Sequence, residues 1–169
     1  MPVYVEIAGR AYPLRFTLRG ALRLLDLTGQ TPMELLAPGL RNTALLLYAA
    51  LCDGCPHVTL SQAAALCASA ARERDALSRL LSALALALAE SGLDQTRLDR
   101  DILRRLLRAA RRAGYPQPLA LLDATYCELC EALEAFLGRR GAAPGAPMTD
   151  RQMQGVMRAL AERSKHDHP

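Results

Sequence analysis

Val3-Tyr-Val-Glu-Ile7, Ala8-Gly-Arg10 and Ala11-Tyr-Pro-Leu-Arg-Phe16 place two runs of β-forming residues around a glycine-containing turn. Polar and apolar side chains alternate in the first run, as they do in a strand that buries one face. The stretch therefore predicts a β-hairpin. Because Pro13 has no N–H, the second strand should lie at a sheet edge or carry a bulge there. An isolated hairpin is barely stable, so this one must pack on helices or pair with a partner strand.

The remainder of the chain has the composition of a helical protein. Apolar residues make up 51% of the sequence, and they are mainly Leu and Ala, with no Trp and only two Phe. Leu and Ala are strong helix formers, whereas aromatic and β-branched residues are typical of strands. We therefore predict an α+β fold that is predominantly α-helical, with the N-terminal hairpin followed by a bundle of short helices.

Capping residues and helix breakers set the predicted helix limits. Thr17 is a suitable N-cap for the first helix, which Gly29 ends. Thr59, Thr125 and Thr149 each begin a capping box, in which Gln or Glu stands three positions later. The predicted helices span residues 18–27, 31–36, 45–51, 59–69, 72–91, 98–113, 125–137 and 149–163.

The composition changes twice along the chain. A Leu/Ala-rich helix ends at Gly92, and an arginine-rich helix follows it. Residues 138–147 are rich in Gly, Pro and Ala, which is typical of a flexible linker. We therefore predict three parts: 1–92 is a hairpin with a helical core, 93–140 is an appended helical segment, and 141–169 holds a linker, a terminal helix and a polar tail.

Two CxxC pairs, Cys52-Asp-Gly-Cys55 and Cys127-Glu-Leu-Cys130, could in principle share a zinc ion. The pairs are far apart in sequence, and the second lies inside a predicted helix. Free Cys is among the most buried residue types, so core filling is the main interpretation and a zinc site or redox pair is the alternative. We predict that the protein uses no metal and no cofactor.

No signature of catalysis is recognisable. The sequence contains neither a phosphate-binding GxxxxGK[ST] loop nor a GxGxxG turn, and no Ser or Cys stands in a nucleophile elbow. Of the three histidines, His57 lies in a predicted loop, whereas His166 and His168 lie in the polar tail. We therefore predict a protein that is not an enzyme.

The sequence also predicts a cytoplasmic location. The longest apolar run, Leu80–Ala89, is far shorter than the ~20 residues that a membrane-spanning helix needs. The first residues do not have the pattern of a signal peptide, and five cysteines would leave one unpaired in an oxidising compartment. We expect free thiols and no contact with a membrane.

The predicted helix 98–113 carries the strongest charge pattern. Its arginines allow three interpretations: a surface that follows nucleic-acid phosphates, the solvated face of an amphipathic helix, or a contact for an acidic protein. The net charge of +4 permits nucleic acid as a partner without requiring it. The candidate partner-binding residues are Arg100, Arg104, Arg105, Arg108, Arg111 and Arg112.

The order of these features resembles the tail assembly chaperones of siphophages and prophages. The resemblance covers about residues 3–92. It depends on Val5-Glu-Ile-Ala-Gly-Arg-Ala-Tyr-Pro-Leu-Arg-Phe16, then Thr17-Leu-Arg-Gly-Ala-Leu-Arg-Leu-Leu-Asp-Leu-Thr-Gly29, and on the Leu/Ala-rich helices that follow. Residues 94–140 resemble the segment that a longer product of the family adds, often by ribosomal frameshifting. The final helix has no counterpart in the family.

The resemblance implies a non-enzymatic chaperone for phage tail assembly in the bacterial host cytoplasm. Members of that family bind the tape measure protein, and the added segment recruits tail tube subunits. A long helical protein with an apolar stripe needs a partner that offers apolar grooves under a charged exterior. The alternative hypothesis is a small basic helical regulator that binds nucleic acid through the arginine-rich helix.

Overall fold

The computed structural model describes residues 3–94, 100–137 and 150–166, and within these ranges the fold is α+β and mostly helical, as predicted. Strands β1 (Val3–Ile7) and β2 (Arg10–Leu14) form an antiparallel hairpin. They precede α1 (Leu18–Thr28), α2 (Leu40–Leu51), α3 (Leu60–Ala70), α4 (Ala76–Ser91), α5 (Arg100–Arg112), a 3-10 helix (Ala120–Asp123), α6 (Tyr126–Phe136) and α7 (Asp150–His166).

The hairpin has a regular register with a tight turn. Val3 lies opposite Leu14 and Ile7 lies opposite Arg10, and no residue is skipped between them, so Pro13 produces no bulge. Ala8 and Gly9 form the turn with φ angles of 49° and 73°. Two positive φ angles are the signature of a type I′ turn, whose twist matches that of the strands it joins.

Helix α2 is the centre of the hydrophobic core. It packs against α1, α3, α4 and β2, so almost every side of the helix meets protein. This explains why its sequence lacks a polar face. Its fully buried residues are Leu46, Leu47, Ala49, Ala50 and Leu51.

The segment after Gly92 packs directly on the first section. The main-chain N–H of Leu18 donates to the carbonyl of Ala124 at 2.9 Å, so a residue of the second section completes the start of α1. Arg19 forms an ion pair with Asp123 close by. Helix α5 packs against α7. One continuous apolar core runs through all of these elements, while the division of the chain into three parts stays a prediction.

Two predicted helix limits are wrong. Residues 31–36 form only a turn. Leu35 is buried but Met33 and Leu36 are not, so little apolar surface is gained to offset the free-energy cost of helix nucleation. Residues 71–75 are also exposed turn, and Asp75 has a φ of 62°, so α4 begins at Ala76 instead of Arg72.

Other predictions have mixed outcomes. The structure extends the helix predicted at 45–51 back to Leu40, and it adds a short 3-10 helix at Ala120–Asp123 that the sequence did not predict. The predicted linker 138–147 and Thr149 lie outside the described residues. None of the described helices is both long and apolar enough to cross a membrane.

Candidate functional site

An apolar groove of about 450 Å³ lies where the end of α1 meets the first turns of α2 and one face of α3. We call it the leucine groove. Arg41 is the one charged side chain among the described residues that line it. The lining residues are Leu27, Thr28, Leu40, Arg41, Ala44, Leu45, Leu60, Ala64 and Ala68.

Three leucines at this groove are unusually exposed. The exposed fractions of Leu27, Leu40 and Leu60 are 58%, 49% and 39%. A single exposed leucine is normal on a protein surface, but several around one concave site mark a place where another apolar surface can bind. A groove of this kind accepts the apolar face of an amphipathic helix.

Each of these leucines is exposed because of where its helix begins or ends. Leu27 lies in the last turn of α1, where about 3.6 residues per turn place it at the edge of the face formed by the buried Leu18, Ala21 and Leu24. Leu40 and Leu60 are the first residues of their helices, where the chain enters from the surface. The sequence did not predict the groove, although the position of Leu27 at the edge of the apolar face of α1 was a usable signal.

The arginine-rich helix α5 buries one face and exposes the other. Leu103, Leu106 and Ala110 are buried. Arg104 lies 4.0 Å from a carboxylate oxygen of Asp101, an exposed pair that contributes little to stability. All five described arginine side chains, Arg104, Arg105, Arg108, Arg111 and Arg112, are exposed, whereas the side chain of Arg100 is outside the described part.

The C-terminal half of α5 carries cations that no carboxylate balances. In the part of the chain that the structure describes, Arg108, Arg111 and Arg112 have no ion pair. Their position at the end of a helix is favourable for positive charge, because the helix dipole is negative there. The same side chains can bind carboxylates or phosphates of a partner. None of the five described arginine side chains of α5 lines the leucine groove.

The cysteines behave as core residues more than as ligands. Cys127 and Cys130 are buried on α6, and burial together with the charge of Glu131 raises the pKa of the Cys127 thiol. Burial raises the pKa of Cys67 to about 11. The thiol of Cys52 donates to the Tyr48 carbonyl at 3.1 Å. Among the described residues, no three His, Cys, Asp or Glu side chains group as metal ligands would.

A polar cavity of about 670 Å³ lies at the joint between the two sections, lined by Arg15, Asp53 and Glu128. Arg15 donates to Asp53 at 2.7 Å and also pairs with Glu128. Burial would raise the pKa of Glu128, but the hydrogen bond from the Thr125 N–H and the charge of Arg15 lower it. Because these charged groups pair with one another, we interpret the cavity as part of the contact between the two sections. His57 lies elsewhere, in a separate apolar pocket beside Val58.

The leucine groove and the arginine face of α5 are thus separate surfaces in the described part of the chain. Neither has the convergent acid, base and nucleophile of a catalytic site. Comparison with protein-family models, with curated proteins and with solved structures gives no match to this chain.

Proposed function

We propose that this protein is a non-enzymatic chaperone for phage tail assembly that binds apolar helical segments of a tape measure protein. The leucine groove is the observation that carries the proposal. Three exposed leucines around it supply apolar contact surface, while charged residues cover much of the remaining exterior. The order of sequence features over residues 3–92, which resembles tail assembly chaperones, supports the same role.

The groove suits a client that must later be released. Its volume of about 450 Å³ admits a few side chains from one face of a helix. Such a contact buries little area compared with the roughly 1,600 Å² of a standard stable interface. Several copies could therefore cover successive stripes of a long helical client and dissociate during assembly.

The arginine face of α5 supports a second contact with tail tube subunits. Its exposed arginines are separate from the groove, so both partners could bind at once. Charge at the edge of an interface chiefly sets encounter rate and specificity. This surface would therefore select its partner and bring it close, with apolar contacts elsewhere holding it.

The test is co-expression with the tape measure protein of a siphophage. We expect the native chain to keep that protein in the soluble fraction, and the double variant Leu40→Ser with Leu60→Ser to lose at least half of this effect. Leu119→Ser is the matched control, because Leu119 is 70% exposed but lies outside the groove. Equal activity of all three proteins would refute the role of the groove.

The alternative function is nucleic-acid binding by α5, which the unbalanced Arg108, Arg111 and Arg112 favour. A DNA titration at two salt concentrations separates the two functions. Non-specific phosphate contacts weaken steeply as salt rises. Tight binding that survives physiological salt would favour the regulator, whereas weak binding that salt abolishes agrees with the chaperone.

A further inference from the structure

The two edges of the hairpin differ in how the protein covers them. Next to β2, the N–H of Arg15 donates to the carbonyl of Ala50 in α2 at 3.0 Å. A side chain added at Gly54 would come within 2.8 Å of the Pro13 ring, so the loop after α2 lies tight against this strand. The C-terminal half of the β2 edge is therefore closed by packing and by a proline, whereas Arg10 and Ala11 are exposed.

The outer edge of β1 has no strand partner among the described residues, although α4 packs against the strand. Tyr4 is 65% exposed and Glu6 is also exposed. A groove of about 330 Å³ lies along this strand, and it is lined by residues of β1 and its turn and by Glu73, Arg79 and Ala83.

The turn determines which main-chain groups point outward from β1. In a type I′ turn, the carbonyl of the residue before the two turn residues accepts from the N–H of the residue after them. Ile7 and Arg10 hold these positions, so they form a hydrogen-bonded pair. Hydrogen-bonded and non-hydrogen-bonded pairs alternate along an antiparallel ladder. Tyr4 and Glu6 are thus in non-hydrogen-bonded pairs, and their N–H and C=O groups point away from β2. Pro13 lies opposite Tyr4 in a non-hydrogen-bonded pair, so the hairpin needs no N–H donor from Pro13.

We infer that β1 pairs with β1 of a second copy of this chain, forming a four-stranded antiparallel sheet across a two-fold axis at Val5. In this register Tyr4 of each copy lies opposite Glu6 of the other, and the four outward N–H groups all find carbonyls. Because Pro13 leaves β2 with Ala11 as its one outward N–H donor, β1 is the better edge of each copy and the pairing stops at a dimer. Such a dimer does not depend on the proposed chaperone function.

The sequence of the edge selects this register and a partner of its own kind. Pairing Glu6 with Glu6 would set like charges directly opposite each other, which is unfavourable. Pairing Tyr4 with Tyr4 would bring Pro2 opposite Glu6, and Pro2 has no N–H to donate. Only the pairing of Tyr4 with Glu6 separates the two carboxylates and uses every outward donor.

The test is sedimentation equilibrium on the full chain and on two proline variants. Glu6→Pro removes an outward N–H from β1, whereas Ala11→Pro removes the outward N–H directly across the hairpin, on the edge of β2. We expect the native chain and Ala11→Pro to reach twice the monomer mass of 18.3 kDa. Glu6→Pro should raise the dissociation constant about tenfold or more, because the symmetric interface loses two hydrogen bonds.

Amide hydrogen exchange on the native chain provides a test that does not depend on folding of the variants. Protection of the Tyr4 and Glu6 amides should increase with protein concentration, while that of Ala11 should not change. A native chain that stays monomeric at its highest attainable concentration overturns the inference. So does a dimer that Glu6→Pro leaves intact, or one that Leu60→Ser in the leucine groove abolishes.

Discussion

At Gly20, α1 and α2 approach each other so closely that a single added methyl group would clash. A Cβ built on Gly20 would lie 2.7 Å from the main-chain carbonyl oxygen of Ala49. This carbonyl belongs to the main chain of α2, so it can move away only if the helix itself shifts. The glycine is therefore needed for the contact between the two helices, even though glycine is a poor helix former.

Gly20→Ala should destabilise the protein by about 1–2 kcal/mol. The gain in helix propensity is at most about 1 kcal/mol, while forcing extra volume into a tight contact typically costs about 1–3 kcal/mol. Gly155→Ala is the control, since no atom lies within 4 Å of a Cβ at that position of α7, and it should stabilise slightly. Urea unfolding measures both, and a Gly20→Ala protein as stable as Gly155→Ala would contradict the close contact.

At the scale of the element, side-chain caps fix the starts of three helices. Thr17 accepts from the N–H of Gly20 at 3.2 Å at the start of α1. Thr59 and Gln62 exchange hydrogen bonds at the start of α3, and Thr125 and Glu128 do the same at α6. These caps satisfy main-chain groups that have no partner within the helix.

Thr59→Ala should lower the free energy of unfolding by about 1 kcal/mol, because α3 loses its N-cap. Thr31→Ala is a matched control. Thr31 makes similar hydrogen bonds to Glu34 but caps only a single turn, so its loss should cost less than half as much. Thermal or chemical unfolding of both variants measures the difference. Equal losses would mean that the turn at 31–36 stabilises the fold as much as a complete helix does.

The same caps explain which elements could be predicted from the sequence. A capping box is a local pattern, so the starts at Thr59 and Thr125 were predicted correctly. Thr31 shows the limit, because a cap followed by one fully buried leucine, Leu35, produces only a turn. The leucine groove could not be derived, since it depends on how three helices are placed relative to one another. Neither could the partly closed edge of β2, which depends on contacts with α2.

At the scale of the whole molecule, α5 places a positive face on the second section. The buried residues of α5 and α7 attach this face to the core, so its arginines are presented on a fixed helix. The described side chains of α7 that are buried on the apolar side of this arrangement are Met153, Val156, Ala159 and Leu160. The position of α5, more than any single side chain, therefore determines which partner groups the arginines can contact.

Reversing Arg104, Arg105 and Arg108 to Glu should weaken binding to the tail tube partner and spare binding to the tape measure partner. The effect should be larger at low salt, because ions screen exposed charges. A control with the same change in net charge reverses Arg10, Arg72 and Arg74, which are exposed residues outside α5. Pull-downs at two salt concentrations measure both variants. Equal weakening by the two triple variants would show that total charge matters and the arginine face does not.

The ion pair between Arg19 and Asp123 joins residues that are 104 positions apart. During synthesis on a ribosome, α1 is therefore made long before the residues that contact its N-terminal end. Contacts between such distant residues slow folding, because a long loop closes before they form. Until translation is complete, the N-terminal section exposes surface that the second section later covers. A ribosome that stalls before residue 123 would leave α1 without the partners at its N-terminal end.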